Sequence, residues 1–255
     1  MSIASLRQQI READAAYRSG APLMTDAEFD ALVKELRSVA PHAPELLTPG
    51  GGTALLSLHN EDPDEFINWH AQLPSPGVVV QPKIDGVALA LRYIDGTLVA
   101  AWTRSGKCAL QVAKLVRSIP KTIQVLPGLT ADGVVEVHGE LYGLDFKQST
   151  PAAALRRKQP SGEGLAFTAY RLQAPTLPTE LASQAALARF GFDCPDTLLS
   201  TKPQEVLALH SRWLSGELFT SWPTDGIVIK ALSHLDQARL GATALAPRWA
   251  LALKR

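Results

Sequence analysis

Cysteine is scarce: the chain has two in 255 residues, Cys108 and Cys194. They lie far apart and lack metal-ligand spacing. They read as ordinary free thiols of a reducing compartment. Net charge is also lacking, because 25 Lys and Arg balance 25 Asp and Glu. Such a chain is not expected to clamp DNA by itself, since phosphate contacts need clustered cations. Arg156-Arg157-Lys158 is a local basic run, equally readable as a solvated turn. No apolar run is long enough to span a membrane, and Met1 opens no signal-peptide pattern. The expected location is therefore the cytoplasm. Internal repeats and low-complexity tracts are absent as well. What the chain does have is 46% hydrophobic residues, enough for one large domain and a small appendage.

Ile3, Leu6, Ile10, Ala13 and Tyr17 recur at helical spacing. Gly20-Ala21-Pro22 breaks that helix. Thr25 and Glu28 then form a capping box, followed by the apolar stripe Phe29, Leu32, Val33 and Leu36. Pro41 and Pro44 end the second helix. Pro49-Gly50-Gly51-Gly52 reads as a linker or mobile loop. The spacing thus predicts a small helical hairpin over residues 1–54 and a larger unit over 55–255. In the larger unit, Val87–Tyr93 and Thr97–Thr103 flank Asp95-Gly96, a strong hairpin signal. Residues 134–140, 165–170, 226–231 and 248–254 are further strands. Helices are expected at 109–118, 181–190 and 203–215, with a proline-bearing connection from Leu172 to Pro178. The mixture is α+β, with antiparallel sheets and segregated helices.

Pro82-Lys83-Ile84-Asp85-Gly86 follows the apolar run Val78–Val80. Two residues apart on a strand, Lys83 and Asp85 would share one face. Gly86 would let the backbone approach a ligand or bend sharply. That geometry suits a lysine nucleophile beside a carboxylate, although an exposed turn of this composition is common. Glu136, His138 and Glu140 share one face of their strand, opposite Val135 and Val137; a solvated outer face is the plain alternative, above all for Glu136.

Further segments follow in order: Val137-His138-Gly139-Glu140, Leu165–Tyr170, Asp225-Gly226-Ile227-Val228-Ile229-Lys230, and Pro247–Lys254. Together with Lys83-Ile84-Asp85-Gly86 they resemble the nucleotidyltransferase motifs of the DNA ligase and capping-enzyme superfamily. The resemblance covers nearly the whole chain. It is closest to the adenylation domain of NAD-dependent DNA ligases, and Gln81-Pro82-Lys83 and Pro223–Gly226 look most like a divergent second bacterial ligase. It implies a fold in which antiparallel sheets form a cleft around the nucleotide. It also implies a bacterial or phage-infected cytoplasm.

By that resemblance, Lys83 attacks the adenylyl phosphorus of NAD and expels nicotinamide mononucleotide, leaving lysine–AMP. An ordinary lysine, with a pKa of about 10.4, is neutral in only about one molecule in 10³–10⁴ at pH 7. Lys230 and Lys254 would supply cations that help it deprotonate and neutralise phosphate. Glu140 would bind ribose or a metal, and Asp85 would accept a hydrogen bond or act through water on Mg²⁺. Tyr170 would stack on adenine. Gln81 and Arg104 would also line the nucleotide site, and Trp249 would pack. In the hairpin, Tyr17, Asp26, Phe29 and Asp30 would recognise nicotinamide and its ribose. Acids near a helix start also favour its dipole without any ligand. The cofactors implied are NAD and Mg²⁺, with no metal held by a dedicated set of protein ligands.

Several positions depart from the family pattern. Thr103-Arg104-Ser105-Gly106-Lys107 lacks the usual acid, Gln81 replaces glutamate, Phe29 replaces tyrosine, and His138 replaces arginine. An aromatic pair is reduced to Tyr17 after Ala16. The four-cysteine zinc module is missing, and the chain stops at Arg255 without an OB domain. Self-adenylation is therefore expected, with nicked double-stranded DNA engaged only through an OB-fold-containing region or partner subunit. The chain would be a fragment of a longer ligase, one subunit of a split ligase or a degenerate relative. A non-catalytic nucleotide-binding or scaffolding subunit is the alternative from another class. A triphosphate-using RNA ligase or capping enzyme would leave the acidic helix unexplained.

Overall fold

The computed structural model describes residues 2–18, 23–40, 55–94, 96–104, 115–116, 134–147, 149–157, 161–173, 177–243 and 246–255. The N-terminal hairpin pairs α1 (Ile3–Arg18) with α2 (Asp26–Val39). Thr25 caps α2 as expected: its hydroxyl accepts from the Glu28 N–H at 3.3 Å, and the Glu28 carboxylate accepts from the Thr25 N–H at 2.8 Å. Leu6, Ile10 and Leu36 form a small core, against which Phe29, Leu32 and Val33 pack. The Pro49–Gly52 segment and Cys108 lie outside the described residues.

Beyond the hairpin, nine strands among the described residues form two sheets. The first has the order β1 (His59–Glu61), β9 (Ala250–Lys254), β8 (Thr224–Ala231), β2 (Val78–Ile84), β7 (Leu198–Ser200). The second has the order β4 (Thr97–Thr103), β3 (Val87–Ile94), β5 (Val134–Gly143), β6 (Leu165–Gln173). Neighbours are antiparallel except β1 and β9, which run parallel. Gly96 turns the β3–β4 hairpin at φ 77°, in the left-handed region that glycine tolerates. Pro82 sits within β2 where β7, paired only to Val78–Val80, leaves one edge open. An open edge tolerates a residue without an N–H.

The two-residue alternation of each strand separates a core face from a cleft face. In the first sheet, Val78, Val80, Ile227, Ile229, Leu251 and Leu253 pack with Phe66 of α3 (Pro63–Ala71) and with Val206 and Trp213 of the later helix Pro203–Leu214. In the second, Leu89, Leu91, Val137, Leu141 and Phe167 pack with Ala154 of α4 (Ser149–Arg156) and Leu187 of α5 (Glu180–Arg189). The helix Pro203–Leu214 is α6, and α7 (His234–Leu240) follows β8. The other face of each sheet looks into the cleft between them. Among the described residues no helix is long and apolar enough to cross a membrane.

Several expectations need correction. Strand β2 ends at Ile84, with a register shift after Lys83, so Asp85 lies beyond the strand rather than on it. Strand β9 begins at Ala250, leaving Arg248 and Trp249 in the approach to it. Strand β6 runs to Gln173, taking the first residues assigned to a connection. Glu136 is buried, not solvated, because Arg92 of β3 donates to its carboxylate. Most of the helix expected at 109–118 lies outside the described residues, while Leu115 and Val116 are helical and sit in the core.

Candidate nucleotide-binding cleft

Strand register brings the two ends of the sequence pattern together. β2 sets Lys83 opposite Gly226 of β8, and β9 sets Lys254 opposite the same Gly226. A Cβ at Gly226 would lie 2.5 Å from the Leu253 carbonyl, so the strands close this tightly only around glycine. The neighbouring Asp225 is held by both lysines. Lys83 Nζ donates to its two oxygens at 2.9 and 3.2 Å, and Lys254 Nζ lies 2.7 Å from Oδ2. Burial pushes the Asp225 carboxyl up, but the donations from Lys254 and Lys83 outweigh it and hold the group below the usual carboxylate range.

After Lys83 the chain crosses from one sheet to the other. The Asp85 N–H donates to the Pro223 carbonyl at 2.7 Å. Gly86 then passes so close to β5 that a Cβ would meet the Leu141 carbonyl at 2.2 Å. This approach brings Glu140 of β5 into the field of Lys83, Arg104, Asp85 and Asp225. Burial dominates that field and pushes the Glu140 carboxyl up to about 8, against the pull of Lys83 and Arg104.

The remaining wall comes from β6 and β8. Tyr170 puts its ring 5.3 Å from Lys230 Nζ, and burial pushes its phenol up. Lys230, only 5% exposed, donates to the Tyr170 carbonyl at 2.9 Å and to Glu180 at 3.3 Å. Gln81 is buried and donates from Nε2 to Thr197 Oγ1 at 2.9 Å, while Arg104 donates to Ser57 Oγ at 3.0 Å. The Arg171 guanidinium lies 4.1 Å from the Trp249 ring centroid. Tyr170, Arg171, Lys230, Gln81, Arg104 and Trp249 line a cavity of about 550 Å³, within the usual range for a small-molecule site.

Two family models match the sequence that builds this cleft and the hairpin before it. The NAD-dependent DNA ligase adenylation domain matches residues 52–150 and 145–255. The DNA ligase-like, N-terminal NAD⁺-binding domain matches residues 1–54.

The chain belongs to the NAD-dependent DNA ligase adenylation domain family.

Curated relatives named DNA ligase include those of Methylobacterium sp. (32% identical over 98% of this chain and 37% of that protein) and Chloroflexus aurantiacus (31%, 99% and 45%). That of Herpetosiphon aurantiacus is 29% identical over 98% of this chain and 46% of its own length. The chain spans less than half the length of these relatives.

Of the residues singled out from the sequence, Lys83, Glu140, Lys230, Lys254, Gln81, Arg104 and Tyr170 line the adenylation-family cleft. Asp85 is not on its wall but acts electrostatically on Glu140. Phe29 is half-buried in the hairpin core and does not line the cleft. The side chains of Tyr17, Asp26 and Asp30 lie outside the described residues. Lys230 was expected to stand beside the nucleophile; instead its charge is engaged by Glu180, and Lys254 is the cation that shares Asp225 with Lys83. Trp249 was expected to pack, and it forms cleft wall under Arg171.

Sequence reasoning missed Asp225 as a site residue, along with Glu180 and Arg171. Asp225 opens the segment Asp225–Lys230, but only the β2–β8 register points it at Lys83. The acidic residues do not fit a resident Mg²⁺. Among the described residues no group of three or more His, Cys, Asp or Glu could hold a metal ion. Asp225 is occupied by two lysines, and burial disfavours the charged form of Glu140. Mg²⁺ ordinarily enters such sites on substrate phosphates with most of its water retained.

Proposed function

We propose that this chain is a self-adenylating nucleotidyltransferase module. Lys83 attacks the adenylyl phosphorus of NAD, the bond to nicotinamide mononucleotide breaks, and AMP remains on the lysine nitrogen. The observation that carries this reading is the Lys83–Asp225–Lys254 triplet at the edge of a nucleotide-sized cavity. The neutral amine is the nucleophile, so Lys83 sheds a proton before it attacks. Asp225 orients the lysine, and Lys254 on the same carboxylate loosens that hold and offers charge to the phosphate. Tyr170 stacks on adenine, Gln81 reads its edge, and Glu140 and Arg104 engage the ribose and phosphate side. Residues 1–54 form the nicotinamide-recognising unit, in which Asp26 and Asp30 meet the cationic ring and its ribose.

In the whole protein, the AMP would be passed to a nick in double-stranded DNA with an OB-fold-containing region or partner subunit closing over the cleft. The test is incubation with radiolabelled NAD or ATP, followed by a denaturing gel. Covalent label from NAD, and none after Lys83→Ala, is the expected result. Absence of label from a folded wild-type chain would favour a non-catalytic nucleotide-binding subunit, and label from ATP alone a triphosphate-using enzyme.

A further inference from the structure

Cations line the cleft, yet one of the deepest charges in the molecule is a carboxylate. Glu180 opens α5 and is 0% exposed. Its Oε1 accepts from Gln237 Nε2 at 2.8 Å and lies 3.4 Å from His234 Nε2 and 3.7 Å from Arg171 Nη1. Its Oε2 accepts from Lys230 Nζ at 3.3 Å. Lys230 belongs to β8 in the first sheet, Arg171 to β6 in the second, and His234 and Gln237 to α7. One carboxylate therefore ties both walls of the cleft together.

Burying an ion is costly unless its partners are well placed. Here the partners are also cleft groups. A lysine ammonium has three N–H donors. The Tyr170 carbonyl and Glu180 take two from Lys230, and Lys230 faces the cavity. We propose that Glu180 is a positioning residue that keeps Lys230 charged and aims its remaining donor at an anionic ligand in the cleft. This rests on the nucleotidyl-transfer reading, in which that ligand is the nucleotide phosphate.

The groups facing Lys230 are Glu180 from α5, Tyr170 and Arg171 from β6, and His138 from β5, while His234 of α7 reaches the same carboxylate. Among the described residues that face it, Glu180 is the only anion. Burial pushes the Lys230 ammonium below its ordinary value, and Glu180 pushes it back up. Without Glu180 the ammonium is left buried beside Arg171 with no counter-ion. It then loses its proton at lower pH.

The test compares wild type with Glu180→Gln, which keeps an oxygen for Gln237 but removes the charge. Two readouts are used on the full chain. One is the NMR titration of Lys230 in isotope-labelled protein, and the other is the rate of self-adenylation from NAD against pH. In Glu180→Gln the Lys230 midpoint should move to lower pH. Adenylation should fall by roughly tenfold or more at alkaline pH, with a decline on that side that wild type lacks. Glu180→Asp should recover part of the loss, with a Lys230 midpoint between those of wild type and Glu180→Gln.

An unmoved midpoint in a folded Glu180→Gln variant, with a pH profile of wild-type shape, would reduce Glu180 to a structural tie and overturn the proposal. If the Gln variant does not fold, Glu180→Asp carries the same test. Retracting the carboxylate by one methylene should lower the midpoint in the same direction, and an unchanged value refutes the assignment. The titration needs no catalysis. A wild-type chain that takes no label from NAD would overturn the nucleotidyl-transfer reading, while the Lys230 midpoint would still decide the role of Glu180.

Discussion

At the scale of single residues, the cleft is a set of charges balanced against burial. Glu140 illustrates the balance. Its carboxyl is pushed up to about 8, above the ordinary 4.5, chiefly by burial. A folded-state value above the unfolded one means that the native chain binds the extra proton. Stability from this group is therefore full below about pH 4.5 and is lost as pH rises through about 8. Glu140→Gln cannot ionise, so its unfolding temperature relative to wild type should climb between pH 5 and pH 9. The relative gain should be roughly 1–3 kcal/mol, discounted for partial exposure to the cleft. Urea melts at the two pH values would check it, and a constant difference would contradict the burial argument. Asp225 behaves in the opposite sense, because two lysines hold it ionised.

At the scale of elements, the crossing from β2 to β3 is the tightest constraint. Gly86→Ala would place a methyl 2.2 Å from the Leu141 carbonyl and 3.1 Å from Glu140 Cγ. The backbone must shift, displacing Lys83 from Glu140. We expect a loss of about 2–4 kcal/mol in urea unfolding and a larger fall in adenylation than in stability. Wild-type stability in that variant would mean the crossing is looser than described. The hairpin carries another prediction: replacing Asp26 and Asp30 together with Ala should slow adenylation from NAD without unfolding the chain. Equal rates would leave the helix-dipole explanation of those acids standing.

Elements with strong periodicity or caps were legible in the sequence, including the Thr25 box and the Asp95-Gly96 hairpin. Helix α3 carries a readable signal too. Asp62 caps it in a box with Glu65, and Pro63 opens it. Helices α4 and α7 span 8 and 7 residues, and β1 and β7 span 3 each, too short for a period to emerge. Lys83, Glu140, Lys230 and Lys254 could be singled out because each falls in a motif that resembles the family's, within or at the end of a patterned strand, and all four line the cleft. Glu180 was not, because its partners at 171, 230, 234 and 237 meet it only after both sheets have folded.

At the scale of the whole molecule, the chain pairs the candidate nucleotide cleft with a zero formal charge. Phosphate binding depends on released counter-ions, so this chain should bind nicked duplex DNA far more weakly than the ~10⁻⁸ M of dedicated binders. Supplying an OB-containing ligase region should raise nick sealing, and efficient sealing by residues 1–255 alone would show that the cleft's DNA contacts have been underestimated. The adenylation cleft itself faces a more direct test. The wild-type chain should be incubated with NAD, digested, and examined by mass spectrometry for the peptide bearing AMP. The account predicts one AMP on Lys83 and none on Lys230 or Lys254; a stable adduct on another residue, with Lys83 unmodified, would contradict it.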